Sequence, residues 1–154
     1  MGLQRWRLLL PGLWAGALLC VALLATPAPF ALLPAADAGR VAARMLAQEA
    51  YASLALGIAL LVLERLAARQ GVAEGVGSQF STGMVLALGA VFCTVAGYFA
   101  VQPMMVSARA GQFPLSFGQL HAVSAAFYLV KVALVAALAW RAAGGTAVRR
   151  RSSS

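Results

Sequence analysis

The chain has 154 residues, of which 62% are hydrophobic and 10% are charged, and its mean hydropathy is +0.86. Soluble domains are roughly half apolar and about a quarter charged, so this composition excludes an ordinary soluble domain and indicates a membrane protein. The net charge is +8, but the arginines cluster near the ends of apolar segments instead of lining one face with aromatic residues, which predicts membrane topology and no nucleic-acid binding.

Four apolar segments are long enough to cross a bilayer, which takes about 20 residues. They lie at residues 8–27, 46–63, 82–101 and 120–140. The pattern predicts an all-α fold, an integral membrane bundle of four transmembrane helices that forms one domain over residues 8–143. Residues 1–7 are a short N-terminal segment, and the glycine-, serine- and arginine-rich residues 144–154 are predicted to be a disordered basic tail.

A cleaved signal peptide is the alternative interpretation of the first span. Arg5 and Arg7 precede an apolar core, and residues 26–28 loosely resemble a cleavage site. The apolar run is longer than a usual signal core and continues as PFALLP. We therefore favour an uncleaved membrane helix.

The segment after the first span contains three prolines, at positions 27, 29 and 34. Proline removes a backbone donor and restricts the preceding residue, so the first helix should end or kink here. Asp37 is predicted to be the N-cap of the next helix. Arg40 and Arg44 follow one turn apart on this helix, where they either bind lipid phosphates or simply lie at the interface.

The arginines predict the orientation of the bundle. One side of the membrane receives the larger group: Arg5, Arg7, Arg65, Arg69, Arg141, Arg149, Arg150 and Arg151. The other side receives Arg40, Arg44 and Arg109. By the positive-inside rule, both termini and the loop from Glu64 to Ser81 are predicted to be cytoplasmic.

The fourth span contains the single histidine and the single lysine of the chain, within QLHAVSAAFYLVK. At about 100° per residue, His121, Ser124, Tyr128 and Lys131 share an arc of roughly 80° on an α-helix. Ser124 and Tyr128 are interpreted as hydrogen-bonding residues of a helix packing seam. His121 is either such a residue or a group that titrates near neutral pH or ligates haem.

These four residues form a polar stripe on the fourth span. Lys131 is the member of the stripe that most disfavours membrane insertion, because a lysine near the middle of a span opposes insertion by about 2.5–3.5 kcal/mol. Ionisable residues inside a membrane are rare and commonly functional, so Lys131 is a candidate functional residue. Counted along the predicted spans, His121 and Glu49 both lie near the outer face of the membrane and could contact each other. Lys131 lies several residues deeper, so an ion pair with Glu49 would require one helix to shift along the other by several residues. Lys131 could instead stay neutral or bond to Tyr128, Ser53 or Thr94.

Several short patterns together resemble the transmembrane-protein-205-like family, a bacterial domain of unknown function, over residues 8–140. The residues that carry the resemblance lie between the spans or at the start of the fourth: Pro29, Phe30, Pro34, Gly39, Arg40, Pro103, Phe117, Leu120, His121 and Ser124. The resemblance implies a four-helix integral protein of the bacterial inner membrane, with Pro103 ending the third helix. It implies no known reaction.

Enzyme signatures are absent from the sequence. Cys20 and Cys93 lie in apolar runs without metal-ligand spacing, and the chain contains no nucleotide-binding loop, no HExxH motif and no paired carboxylates in one segment. We therefore expect no enzymatic activity, no metal and no cofactor.

Three functional hypotheses remain open. The first is a protein that binds or passes a small solute, ion or metal, with Glu49 and the stripe from His121 to Lys131 as ligand-binding residues. The second is a structural or assembly subunit whose charges pair with another membrane protein or a second copy within the lipid bilayer. The third is a haem- or redox-linked protein that uses His121.

Overall fold

The computed structural model describes residues 2–73, 75, 78 and 80–151, with side chains described up to residue 144. Every regular element in this part of the chain is helical. The elements are α1 (Gly2–Cys20), α2 (Ala28–Leu32), α3 (Ala35–Ala73), α4 (Thr82–Thr94), α5 (Val101–Arg109) and α6 (Phe117–Arg151). A π-helical segment, Val21–Ala25, follows α1, and a second, Val95–Ala100, joins α4 to α5. The predicted all-α fold is confirmed.

Four helices are long and apolar enough to cross a membrane, and they are named here the first to fourth membrane helices. Their bounds are Gly2–Leu32, Ala35–Ala73, Thr82–Arg109 and Phe117–Gly144. Each predicted span lies within one of them. Large apolar side chains on every membrane helix point away from the bundle, among them Leu13, Ile58, Phe92 and Leu129. Such surfaces need an apolar solvent, so the fold indicates a multi-pass membrane protein.

The proline segment breaks the helix as predicted, at Leu33. This residue is extended, with φ −122° and ψ 153°, because the proline that follows disfavours a helical conformation before it. The next helix starts at Ala35, earlier than predicted. Asp37 is therefore in the first turn instead of at the N-cap, where its carboxylate pairs with Arg40 and complements the helix dipole.

Two predicted helix ends differ from the structure. Pro103 does not end the third membrane helix, which continues from the π-helical segment Val95–Ala100 through α5 to Arg109. This segment directly precedes the proline and shifts the backbone hydrogen bonds there away from the regular i→i−4 pattern that a proline interrupts. The helix ends instead after Arg109, at Gly111 with a φ of +70°. The fourth helix continues past residue 140 to Arg151, so the predicted disordered tail is helical up to that residue. Residues 152–154 lie outside the described part.

The helices form an up-down bundle in which the fourth membrane helix packs against both α1 and α4, and α3 packs against the same two helices. The main core lies between them and is built from Trp14, Leu18, Leu60, Ala87, Ala90, Val135 and Leu138. A smaller cluster, Val101, Met105 and Leu120, lies near the last loop. We call the two ends of the bundle the Glu64 end and the Pro34 end.

Candidate functional site

The centre of the candidate site is an ion pair between Lys131 and Glu49. The Nζ atom of Lys131 lies 2.8 Å from Oε1 and 2.9 Å from Oε2 of Glu49. The two side chains are only 4% and 8% exposed. The depth argument was therefore wrong in both respects: Lys131 does pair with Glu49, and His121 does not.

The reason lies in where the helices begin. The predicted second and fourth spans start at residues 46 and 120, whereas α3 starts at Ala35 and α6 at Phe117, both at the Pro34 end. Glu49 and Lys131 are therefore each 14 positions after the first residue of their helix. Counting from the starts of the predicted spans introduced an offset of eight positions between them.

Glu49 also joins the pair to the first membrane helix. Its Oε1 atom accepts a hydrogen bond from the hydroxyl of Ser53, one turn further along α3. Ser53 in turn accepts a hydrogen bond of 2.9 Å from Nε1 of Trp14, which is buried in the core. Trp14 was not predicted as a site residue. Its position in the middle of a span could have indicated a special role, since most tryptophans of membrane proteins lie at the interfaces.

Ser124 and Tyr128 each bond to the backbone of another helix. The Ser124 hydroxyl donates to the carbonyl of Gly97 at 2.7 Å, and the Tyr128 hydroxyl donates to the carbonyl of Leu18 at 2.8 Å. Gly97 is needed for this approach, since a Cβ there would lie 2.6 Å from Cβ of Phe127. These contacts agree with the interpretation of Ser124 and Tyr128 as packing residues.

The stripe on α6 therefore contacts all three other membrane helices. Tyr128 bonds to the first, Lys131 to the second and Ser124 to the third. Lys131 also lies over the ring of Tyr128, with Nζ 4.5 Å from the centroid, which adds a cation–π contact. The fourth helix thus uses its polar side chains to fix the arrangement of the whole bundle.

His121 lies apart from this network. It is exposed and stacks on Phe117, with ring centroids 5.9 Å apart and planes 17° from parallel. The guanidinium carbon of Arg109 lies 4.2 Å from the centroid of the same phenylalanine ring. The three side chains form a stack in the loop region between α5 and α6, about 15 Å along the helix from Lys131.

A groove with a volume of about 310 Å³ lies between the first and second membrane helices. Most of its lining is apolar, and the polar groups are Gln48, Glu49 and Ser53 on one wall. The remaining lining residues are Trp14, Ala17, Leu18, Val21, Met45, Ala52 and Leu56. Three network residues, Glu49, Ser53 and Trp14, thus line the groove. His121, Ser124, Tyr128 and Lys131 are not among its lining residues.

A second polar cluster, not predicted from the sequence, lies at the Glu64 end. Arg7 binds Glu64 through Nε at 2.8 Å and through a terminal nitrogen at 3.0 Å. The hydroxyl of Ser81 donates to Oε2 of Glu64 at 2.9 Å and accepts from the Met84 N–H at 3.1 Å as the N-cap of α4. A Cβ at position 83 would lie 2.4 Å from the Glu64 carboxylate, so a larger residue there would displace this side chain from its present position.

The two arginines predicted at the interface differ in their partners. Arg40 pairs with Asp37 on its own helix. Arg44 is exposed and forms no ion pair within the described part of the chain. Among the same residues no group of three histidine, cysteine, aspartate or glutamate side chains could hold a metal ion.

The family of the chain follows from its sequence pattern. Residues 9–114 match the family described as a domain of unknown function, DUF4149. No curated protein and no solved structure matches the chain. The match extends from the first membrane helix to the loop before the fourth, and the narrower resemblance to the transmembrane-protein-205-like family stays a prediction. The chain belongs to the DUF4149 family of domains of unknown function.

Proposed function

We propose that this protein binds a small amphipathic molecule in the groove between the first and second membrane helices, with Glu49 bound to its polar head. The observation that carries the proposal is a mostly apolar groove of about 310 Å³ with one carboxylate in its wall. Small-molecule sites commonly have volumes of about 300–1,000 Å³, apolar linings and few polar groups. The binding residue is thus Glu49, and Lys131 positions its carboxylate.

The hydrogen bonds of Glu49 indicate which head group fits. A carboxylate offers about four lone-pair positions. Oε1 accepts from Lys131 and Ser53, whereas Oε2 accepts only from Lys131 among the described residues. The remaining position on Oε2 suits a hydrogen-bond donor such as an amine, a hydroxyl or an amide, and an acceptor-only head group would be rejected.

The other two hypotheses receive less support. The three described carboxylates, Asp37, Glu49 and Glu64, each pair with a cation of the same chain, so these three are not available to pair with a cation of another membrane protein. His121 does not line this groove, so the groove gives no support to a haem-linked role.

For the location, we propose the bacterial inner membrane with both termini in the cytoplasm. The larger arginine group belongs to the Glu64 end of the bundle, where Arg7 contacts Glu64. The smaller group, Arg40, Arg44 and Arg109, belongs to the Pro34 end. The positive-inside rule then assigns the Glu64 end to the cytoplasm.

The test uses the fluorescence of Trp14, which lines the groove. Trp6 and Trp140, the other two tryptophans, are replaced by phenylalanine, and the protein is placed in phosphatidylcholine nanodiscs. Decylamine and decanol carry a donor head, and decane serves as the donor-free comparison. We expect a saturable change of Trp14 emission with decylamine and decanol and no saturation with decane.

A matched pair of variants separates groove binding from partitioning into lipid. Ala52→Leu fills the groove, whereas Ala59→Leu adds the same volume at an exposed position of α3 outside the groove. We expect saturation to be lost in Ala52→Leu and retained in Ala59→Leu. Equal responses of the two variants would disprove the proposed site.

A further inference from the structure

Arg109, Phe117 and His121 form a stack of three side chains at the Pro34 end that shares no residue with the groove. The guanidinium carbon of Arg109 lies 4.2 Å from the centroid of the Phe117 ring, which is within the range of a cation–π contact. The imidazole of His121 stacks on the same ring, with centroids 5.9 Å apart and planes 17° from parallel. One guanidinium and one imidazole therefore contact the same phenylalanine.

The N–H groups of this stack have no acceptor within the described part of the chain. Neither Arg109 nor His121 forms a side-chain hydrogen bond or an ion pair there, and the three described carboxylates pair with other cations. Both side chains are exposed. A contact with an aromatic ring uses no hydrogen-bond acceptor, so the N–H donors of the guanidinium and the imidazole remain available to a ligand.

Two helix ends hold the stack in place. Arg109 is the last residue of α5, and Phe117 is the first residue of α6. A capping box fixes the start of α6, since the Ser116 N–H donates to Oε1 of Gln119 at 2.9 Å and the Gln119 N–H donates to the Ser116 hydroxyl at 3.3 Å. Groups that are held in position before a ligand arrives lose less conformational entropy when it binds.

The length of α6 places the stack at a membrane boundary. Trp140, which is 82% exposed, and Arg141 are residue types found at the boundary between membrane and water. Phe117 lies 24 positions before Arg141, about 36 Å along the helix. A bilayer is about 30 Å thick across its hydrocarbon core and about 40–45 Å with its head groups, so Phe117 lies in the head-group layer of the opposite face.

The donors of the stack suit a phosphate group. A guanidinium binds phosphate oxygens through two parallel hydrogen bonds, and the imidazole N–H is a further donor. We propose that Arg109, with His121 as the second donor, binds a phosphate group at the Pro34 end, carried by a lipid head group or present as a free anion. Phe117 positions both donors. This site does not depend on the proposed function, and either one can fail without the other.

The test titrates phosphatidylglycerol into the delipidated full chain in dodecyl maltoside and measures the bound lipid by native mass spectrometry. The variants are Arg109→Gln and His121→Phe, of which the second keeps an aromatic ring in the stack but removes its N–H donor. Arg44→Gln is the matched control, since Arg44 is exposed at the same end of the bundle. A hydrogen bond to a charged group corresponds to about tenfold or more in affinity. We expect about tenfold weaker binding in Arg109→Gln, a smaller loss in His121→Phe and none in Arg44→Gln.

The source of the phosphate follows from competition with inorganic phosphate. If inorganic phosphate displaces phosphatidylglycerol from the wild type, the site takes the free anion; if it does not, the site takes the lipid. Both results support the proposal provided that Arg109→Gln binds the lipid more weakly than Arg44→Gln. Equal affinities of these two variants, or wild-type affinity of His121→Phe, would overturn it. Because the three substituted residues are exposed, all variants are expected to fold, which circular dichroism verifies.

Discussion

Glu49 and Glu64 each form an ion pair with a cation on another membrane helix, at two different positions along the same helix. Both lie on α3, 15 positions or about 22 Å apart. Each binds one cation through both of its oxygens and accepts a hydrogen bond from a serine. They differ in exposure: the Lys131 and Glu49 side chains are 4% and 8% exposed, and those of Arg7 and Glu64 are 33% and 9% exposed.

This difference determines what each pair contributes. At the Glu64 end, a third of Arg7 remains in contact with solvent, so loss of its partner leaves a cation that can be hydrated, and exposed pairs contribute about 0–1 kcal/mol. For the Lys131–Glu49 pair, whose side chains are nearly fully buried, loss of one partner leaves a charge largely out of contact with water, at about 3–5 kcal/mol. The structure thus depends more strongly on the deeper pair, and the following substitutions test that conclusion.

Replacing Lys131 by methionine is expected to have the largest effect. The change keeps the length of the side chain but leaves Glu49 buried and unpaired, so the free energy of unfolding should fall by about 3–5 kcal/mol. Unfolding by SDS in mixed micelles, followed by circular dichroism, measures this change. Arg141→Met, at an exposed position of the same helix, is the control, and an equal effect of the two substitutions would contradict the account.

Replacing Trp14 by phenylalanine is expected to lower the free energy of unfolding by about 1–2 kcal/mol, because it removes a buried hydrogen bond to Ser53 and part of the core. The same unfolding titration applies. Trp140→Phe is the matched control, since Trp140 is 82% exposed and should change stability little. If Trp14→Phe were as stable as Trp140→Phe, the hydrogen bond would not support the deeper pair.

Replacing Glu64 by glutamine tests the pair at the bundle end. We expect a loss of about 1 kcal/mol, since the partner Arg7 is partly solvated. The loss should shrink as salt is raised from about 0.05 M to about 0.5 M, because salt screens exposed charges. The effect of Lys131→Met should stay constant over the same range. Salt-independent behaviour of both variants would show that the two pairs do not differ in the way proposed.

Ser124→Ala is expected to have the smallest effect, about 0.6 kcal/mol, the average for hydrogen bonds between membrane helices. Ser107→Ala is the matched control, because the Ser107 hydroxyl donates to Pro103 within its own helix. The Ser124 variant should be less stable than this control. Equal stability would show that the bond to Gly97 does not fix the third and fourth helices together.

The sequence was sufficient for the four helices and for the break at the proline segment, because apolar length and proline chemistry are local properties. It was also sufficient to identify Lys131 as the residue most in need of a partner. The partner itself was not predictable by counting positions along the predicted spans, because α3 begins 11 residues before the predicted second span and α6 only three residues before the predicted fourth span. Glu64 was assigned to a loop, and nothing local in the sequence indicates that Arg7 lies beside it.

The double variant Lys131→Met/Glu49→Gln tests the central claim most directly, since it removes both charges of the deep pair at once. Replacing a buried ion pair by neutral groups is often close to neutral in stability, whereas removing one partner is strongly destabilising. The account predicts that adding Glu49→Gln to Lys131→Met restores at least half of the lost free energy of unfolding. A double variant whose loss equals the sum of the two single losses would contradict the account.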